Sequence, residues 1–409
     1  MIRDEMSDFT NLPNLRVAIV HYWFVSRRGG ERVIDALCEL FPNADLFALV
    51  ADEGGLSPTM RKHKLTTSFL QKVPGSRKFH RYMLPLYPLA VEQLDLRGYD
   101  LVISQESGPA KGVLTDPETC HICYCHTPMR YIWDFYHEYK NESGLGLTKK
   151  AIFALTAHYA RIWDQLSASR VDHFVAGSQN ARRRITKTYR RDSEVIYPPV
   201  DVSDAYIAES TEECYLVVGQ LAAYKRVDLA IEACNHLGRE LRVIGLGEEY
   251  KRLKRLAGPT VTFLGGLSDA ELQEQYARCR ALLFPGEEDF GIVPVEAQAF
   301  GRPVIAFGKG GALETVRGAF ADDLTTPEQL TGVFFPEQSR PSLSQAILSF
   351  EQIEQRFIPD YIRCHAEQFD KQHFVSTMKQ FVTETLYQFR GLEPLPNANT
   401  GTRVARAGT

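Results

Sequence analysis

The chain has 409 residues, of which 44% are apolar and 24% charged, as in a soluble globular protein of two or three domains. A net charge of -4 gives no global attraction to nucleic acid, and no apolar run approaches the roughly 18 residues that span a bilayer. The polar segment 1–14 has no apolar stretch of a secretory signal, and eight cysteines in a chain this long read as reduced cytoplasmic thiols rather than a disulfide framework.

The first element is the apolar run 15–20, read as a buried strand. Ser26-Arg27-Arg28-Gly29-Gly30-Glu31 follows, at the start of a helix over 31–41 whose apolar residues Val33, Ile34, Leu37, Leu40 and Phe41 have helical spacing. Gly29 and Gly30 there let backbone N–H groups approach a ligand, and a helix start favours an anion such as diphosphate. A plain tight turn explains the same residues, and the dinucleotide pattern G-x-G-x-x-G is absent.

No acidic residue occurs over 61–91. Arg61, Lys62, Lys64, Lys72, Arg77, Lys78 and Arg81 are interleaved there with Phe69, Leu70, Phe79, Tyr82, Met83, Leu84, Leu86 and Tyr87. Such a mixture suits an anionic membrane surface. Helices packing their apolar side inward beneath a solvated basic face are the other reading.

Further strands are expected at 101–103, 122–125 and 173–176. In the cluster Cys120, Cys123, Cys125, His126, alternation along a strand puts Cys123 and Cys125 on one face and Cys120 on the other. With no second pair downstream, core cysteines explain them better than a metal site. His126 stands just past the strand's carboxyl end, where α/β folds place ligands, although a lone histidine is also an ordinary structural residue.

The first domain is taken as 1–200 and the polar stretch 201–213 as a linker. The pattern then restarts, with strands at 215–218, 241–244, 261–264, 281–284 and 304–307 and a helix over 226–237. Repeated strand–helix alternation implies an α/β fold of two doubly wound parallel sheets, the second over 214–370, facing across a cleft. A helix over 371–390 is expected to cross back to the first domain, and 391–409 reads as a disordered tail.

Chemistry concentrates at 284–296. A strand ends, the acidic loop Glu287-Glu288-Asp289 follows, and a helix begins near Val293 with Pro294 in its first turn. The N–H groups of Gly291, Ile292 and Val293 would face an anion. Glu288 and Glu296 flank that helix start with seven residues between them. A nucleotide sugar across the helix end explains anion-attracting N–H groups beside carboxylates. Complementation of the helix dipole by Glu296 explains them equally.

Glu288 to Glu296 resembles the Glu-x7-Glu motif of the retaining glycosyltransferases of the GT-B fold, family 4. Ala297-Gln298-Ala299-Phe300-Gly301-Arg302-Pro303, Val218-Gly219-Gln220 through Lys225-Arg226, and Ile244-Gly245-Leu246-Gly247 resemble the same family, over about 15–385. The resemblance implies a GT-B architecture and a nucleotide-sugar donor. It implies that Glu288 stabilises the reacting sugar, that Glu296 holds the ribose, and that Lys225 neutralises the diphosphate. Gln220 occupies the position of the family's usual Arg, and Arg226 is a neighbouring substitute. Gly29, Gly30, Phe290, Gly291, Ile292 and Val293 would surround the phosphates, Leu267 the base, and His126 the transferred sugar. Gly310, Gly311 and Glu314 form another loop expected to face the cleft.

The phrase His126-Thr127-Pro128-Met129-Arg130-Tyr131-Ile132-Trp133-Asp134 resembles mannosyltransferases that extend polyprenyl-diphosphate-linked sugars in bacterial polysaccharide assembly. It implies mannose from GDP-mannose, a lipid-linked or other glycan acceptor, and a peripheral position on the inner face of the plasma membrane. No Asp-x-Asp motif is present, so catalysis is expected to need no metal or other cofactor, and the leaving phosphate itself would take the acceptor proton. A phosphorylase or nucleotide-sugar epimerase would use a similar cleft. A catalytically silent carbohydrate-binding scaffold would explain Gln220 but not the retained Lys225 and glutamates.

Overall fold

A computed structural model describes residues 15–25, 29–141, 146–321 and 329–392. The expected features at Ser26, Arg27 and Arg28, in 1–14 and in most of the tail lie outside the described residues.

The first sheet contains β1 (Val17–Phe24), β2 (Asp45–Ala51), β3 (Leu65–Thr67), β4 (Leu101–Glu106), β5 (Cys120–Cys125), β6 (His173–Ala176) and β7 (Ser193–Val195), all parallel, in the order 3-2-1-4-5-6-7. The second contains β8 (Cys214–Val218), β9 (Glu240–Ile244), β10 (Val261–Gly265), β11 (Ala281–Phe284), β12 (Val304–Phe307), β13 (Gly318–Phe320) and β14 (Gly332–Phe335), also parallel, in the order 10-9-8-11-12-14-13. Order reverses on either side of β1 and of β8, which makes each carboxyl end a crevice for ligands. These are the two parallel, doubly wound α/β sheets of the GT-B architecture.

Both faces of each sheet are covered, so alternate residues of a strand enter different cores. Val17 and Ile19 join one cluster while Ala18 and Val20 join the other; Tyr215 and Val217 part from Cys214 and Leu216 in the same way. The central strands therefore read as continuous apolar runs. β5 begins at Cys120, two residues earlier than expected, and Cys120 faces the core opposite to that of Cys123 and Cys125. All eight cysteines are unpaired thiols and seven are buried; among the described residues no group of His, Cys, Asp or Glu is arranged to hold a metal ion.

The helices that position the site are α1 (Glu31–Leu40), α2 (Leu147–Ser167), α3 (Gln179–Tyr189), α4 (Val227–Leu237), α5 (Ile292–Ala299) and α6 (Lys371–Phe389). Helix α6 places Phe374, Met378, Val382 and Leu386 in the core of the first sheet, at four-residue spacing. Each such side chain contributes about 1.5–3 kcal/mol by burial, which ties the chain's end to its beginning. The stretch 201–213 joins the sheets but is not detached from them. Val202 and Ala205 are buried in the second core, and Glu212 N–H donates to Arg278 O at 2.8 Å.

Candidate active site

The acidic loop leaves the carboxyl end of β11. Gly291 then turns the chain with φ 91°, a left-handed conformation that favours glycine, and α5 begins at Ile292. Glu296 is thus the fifth residue of α5 and lies past its first turn. The dipole explanation weakens accordingly, because that effect decays within one turn. The carboxylate is engaged elsewhere: Arg32 of α1 donates to Oε1 from the opposite domain, and Tyr276 Oη donates to Oε2 at 2.7 Å.

Glu288 is partly buried and accepts a hydrogen bond from Lys225, which lies in the turn between β8 and α4. Burial works against the Lys225 charge, but the adjacent Glu288 carboxylate and Tyr224 together outweigh it and raise the ammonium's pKa. Gln220 is exposed in the same turn. Arg226 caps α4 in a left-handed conformation, and its guanidinium meets Asp228 at 3.3 Å. Phe290 is 7% exposed and its ring stacks on Tyr197, so only its backbone remains for a ligand. Leu267, Ile292 and Val293 are partly buried against that same core.

The facing half comes from the carboxyl ends of β1, β4 and β5. His126 follows β5; Gln105 Nε2, at the end of β4, donates both to it and to Gly30 O, the latter at 2.8 Å. The carbonyl acceptor orients the Gln105 amide, so His126 Nε2 is the acceptor and Nδ1 carries the proton. Burial, aided by His21, pushes the His126 pKa down to about 4, which leaves the ring neutral near pH 7. A Cβ on Gly30 would stand 3.5 Å from His126 Nε2, and one on Gly29 only 2.7 Å from Ile292 Cδ1. The glycine pair thus brings the first domain against the start of α5.

Further polar and charged residues link the two domains across the cleft. Arg184 Nε lies 3.1 Å from Asp289 Oδ1, and Asn180 Nδ2 donates to the same oxygen at 3.0 Å. Glu314 caps the start of α3 from the other domain, accepting from the N–H groups of Gln179 at 2.6 Å and Asn180 at 2.8 Å. Gly311 N–H donates to Glu288 O at 2.8 Å, so the loop with Gly310 supports the acidic loop directly. Sequence reasoning missed Arg32, Gln105, Asn180, Arg184 and Tyr276, because their partners lie 20–264 residues away. The structure therefore gathers His126, Gly29, Gly30, Lys225, Glu288 and Glu296 around one interdomain cleft, while Gln220, Arg226 and Leu267 make no contact across it among those described.

Residues 203–361 match the sequence pattern described as Glycosyl transferases group 1, and residues 27–204 match that of Glycosyltransferase Family 4. A human alpha-1,3/1,6-mannosyltransferase is 26% identical over 245 residues, 50% of this chain and 55% of that protein. The O-antigen chain mannosyltransferase of Salmonella typhimurium is 31% identical over 159 residues, 36% of this chain and 45% of that protein. The chain spans about half the length of these curated relatives. Among solved structures, the Anabaena protein HepE in complex with UDP aligns with a TM-score of 0.66 at 15% identity, over 90% of this chain and 100% of that one. A sucrose-phosphate synthase from Thermosynechococcus elongatus aligns with a TM-score of 0.67 at 17% identity, over 90% and 98%. At these identities the structural likeness shows the fold.

Proposed function

The chain belongs to the group 1 glycosyltransferases of family 4, and we propose that it transfers mannose from GDP-mannose, with retention, to a polyprenyl-diphosphate-linked glycan. The observation that carries this reading is the set Lys225, Glu288 and Glu296 around the start of α5, facing a neutral His126 across the cleft. Lys225 and the N–H groups at the start of α5 suit the diphosphate leaving group. Glu288 suits the positive charge that develops on the sugar. Glu296 suits the ribose hydroxyls, for which Arg32 must yield. The leaving phosphate would take the acceptor proton, so no protein nucleophile and no metal ion is required. The choice of mannose rests on the mannosyltransferase relatives.

A screen of GDP- and UDP-sugars tests this. GDP-mannose should raise the melting temperature, with about 2.7 kcal/mol of stabilisation at a hundredfold excess over its Kd. It should also support transfer that requires the lipid-linked acceptor. Stabilisation by UDP-sugars alone would overturn the donor assignment. Sugar release without acceptor dependence would favour a hydrolytic or epimerising enzyme.

A lipid-linked acceptor requires docking at a membrane, and the first domain has a suitable surface. Of the apolar residues in 61–91, Leu70 and Tyr87 turn inward, whereas Phe79, Leu86 and Tyr82 (83% exposed) face solvent beside Lys72, Arg77 and Lys78. Helix α2 packs next to them through Thr156, Ala160 and Trp163 beside Leu84, Pro85 and Pro88. Its outer face exposes Ile152, Leu155, Tyr159, Ile162 and Leu166 in a 3-4-3-4 stripe, with Leu155 72% exposed. Among the described residues no helix is long and apolar enough to cross a membrane. An apolar stripe flanked by basic residues suits the headgroup boundary of an anionic leaflet, each basic group contributing roughly 1 kcal/mol. Sedimentation with vesicles of rising phosphatidylglycerol content should show binding that grows with anionic charge and falls with salt. Leu155→Asp with Ile162→Asp should weaken it about tenfold or more. Binding indifferent to lipid charge, or to both substitutions, would remove the docking surface and favour a soluble acceptor.

A further inference from the structure

Arg130 lies four residues beyond His126 and bridges the two domains. Its guanidinium carbon sits 3.8 Å from the centroid of the Phe135 ring, which fixes the plane of the group. Nη1 makes long contacts across the cleft, 3.5 Å to Glu287 O and 3.5 Å to Asp289 Oδ2. The opposite edge is different: Nε and Nη2 are both shielded from solvent and have no hydrogen-bond partner. Buried donors are nearly always paired, and donors on a cation are the most costly to leave unpaired. The Nε–Nη2 edge is also the one with which arginine grips two oxygens of a carboxylate or phosphate at once.

The Arg130 guanidinium lies close enough to Lys225 for its charge to oppose protonation of that ammonium. The second domain is correspondingly short of positive charge. Gln220 is neutral and exposed, and Arg226 is directed to Asp228 on its own helix. Arg184 is occupied by Asp134 and Asp289, Arg32 by Glu296, and Lys309 by Glu287.

We propose that Arg130 is an oxyanion clamp: its Nε–Nη2 fork takes diphosphate oxygens of a ligand in the cleft and supplies from the first domain the charge that Gln220 lacks. An anion held between Arg130 and Lys225 also draws the domains together, because each cation belongs to a different sheet. The identity of the ligand rests on the glycosyltransferase reading. The chemistry has two sources, the diphosphate of the nucleotide donor and that of a polyprenyl-linked acceptor.

Calorimetric titration with GDP and UDP, which needs no turnover, is compared with the KM of the lipid-linked acceptor for the full chain and its variants. Arg130→Gln should weaken nucleoside diphosphate binding by about tenfold or more, and Arg130→Lys, which keeps the charge but loses the fork, by less. Adding Gln220→Arg to Arg130→Gln should restore part of the affinity, a rescue that a purely structural role of Arg130 would not show. Should Arg130→Gln loosen the domain contact, Arg130→Lys preserves the positive charge there and isolates the fork. Weakened nucleotide binding assigns the clamp to the donor. Unchanged nucleotide binding with a raised acceptor KM assigns it to the acceptor. If neither changes, the clamp is wrong while the glycosyltransferase reading stands. If the wild-type chain binds neither GDP nor UDP, the donor reading fails and the clamp fails with it.

Discussion

Glu288→Gln should lower kcat by about 10²–10³-fold, or about 3–4 kcal/mol in the barrier, without weakening nucleoside diphosphate binding. The substitution keeps the shape of the side chain and removes the charge that, in the proposed function, faces the developing oxocarbenium centre. It leaves the backbone support of the loop intact, since Gly311 N–H bonds to the carbonyl of residue 288 rather than to its side chain. The second half of the expectation follows from the Lys225–Glu288 pair. A donor phosphate competes with Glu288 for Lys225, and an amide is a weaker competitor than a carboxylate. Single-turnover kinetics and calorimetry separate the two effects. Near-normal turnover would reject the role of Glu288, and a parallel loss of nucleotide affinity would move that role from catalysis to binding.

Lys225→Met should have the opposite signature, in which nucleotide affinity fails first. Removing one member of a buried, hydrogen-bonded charge pair at a binding site costs about 2–4 kcal/mol, which is about a 30–1000-fold rise in Kd. Methionine retains much of the aliphatic stem, so the loss reports the ammonium rather than packing. The remaining affinity should also depend less on ionic strength, because one phosphate-facing cation has gone. An unchanged Kd, with an unchanged salt dependence, would show that Lys225 serves only to hold Glu288 in place.

The two effects differ because the residues reach the cleft by different local routes. Lys225 stands at the end of a tight turn after β8, and Glu288 in a loop after β11; adjacent parallel strands bring the two turns together. Either residue alone would be an ordinary surface charge. In the proposed function, their pairing at the start of α5 lets nucleotide binding and catalysis use separable charges.

Much of this was legible in the chain itself. Strands buried on both faces leave continuous apolar runs, and so β1, β5, β8, β11 and β12 could be read directly. The seven-residue separation of Glu288 and Glu296 was equally local, as were the glycines before α1 and α5. β2, Asp45–Ala51, was not read, because a short apolar run without alternation fits a buried helix as well as a strand. The three-residue strands β3, β7 and β13 carry too few residues to show any period.

Periodicity reports whether a position is buried but not what it meets. The outer stripe of α2 shows the difference. Its 3-4-3-4 apolar pattern would ordinarily face a core, yet Ala157, Ala160, Asp164 and Ser167 on the other side are the buried ones. The chain alone therefore determined two wound sheets, the turns that carry Lys225, Glu288 and His126, and the family to which they belong. Only the tertiary structure decided that Arg32 reaches Glu296, that Glu314 caps α3, and that Arg130 enters the cleft with one edge unpaired. Those contacts depend on how one rigid sheet is set against the other, and no local pattern of residues encodes that rotation.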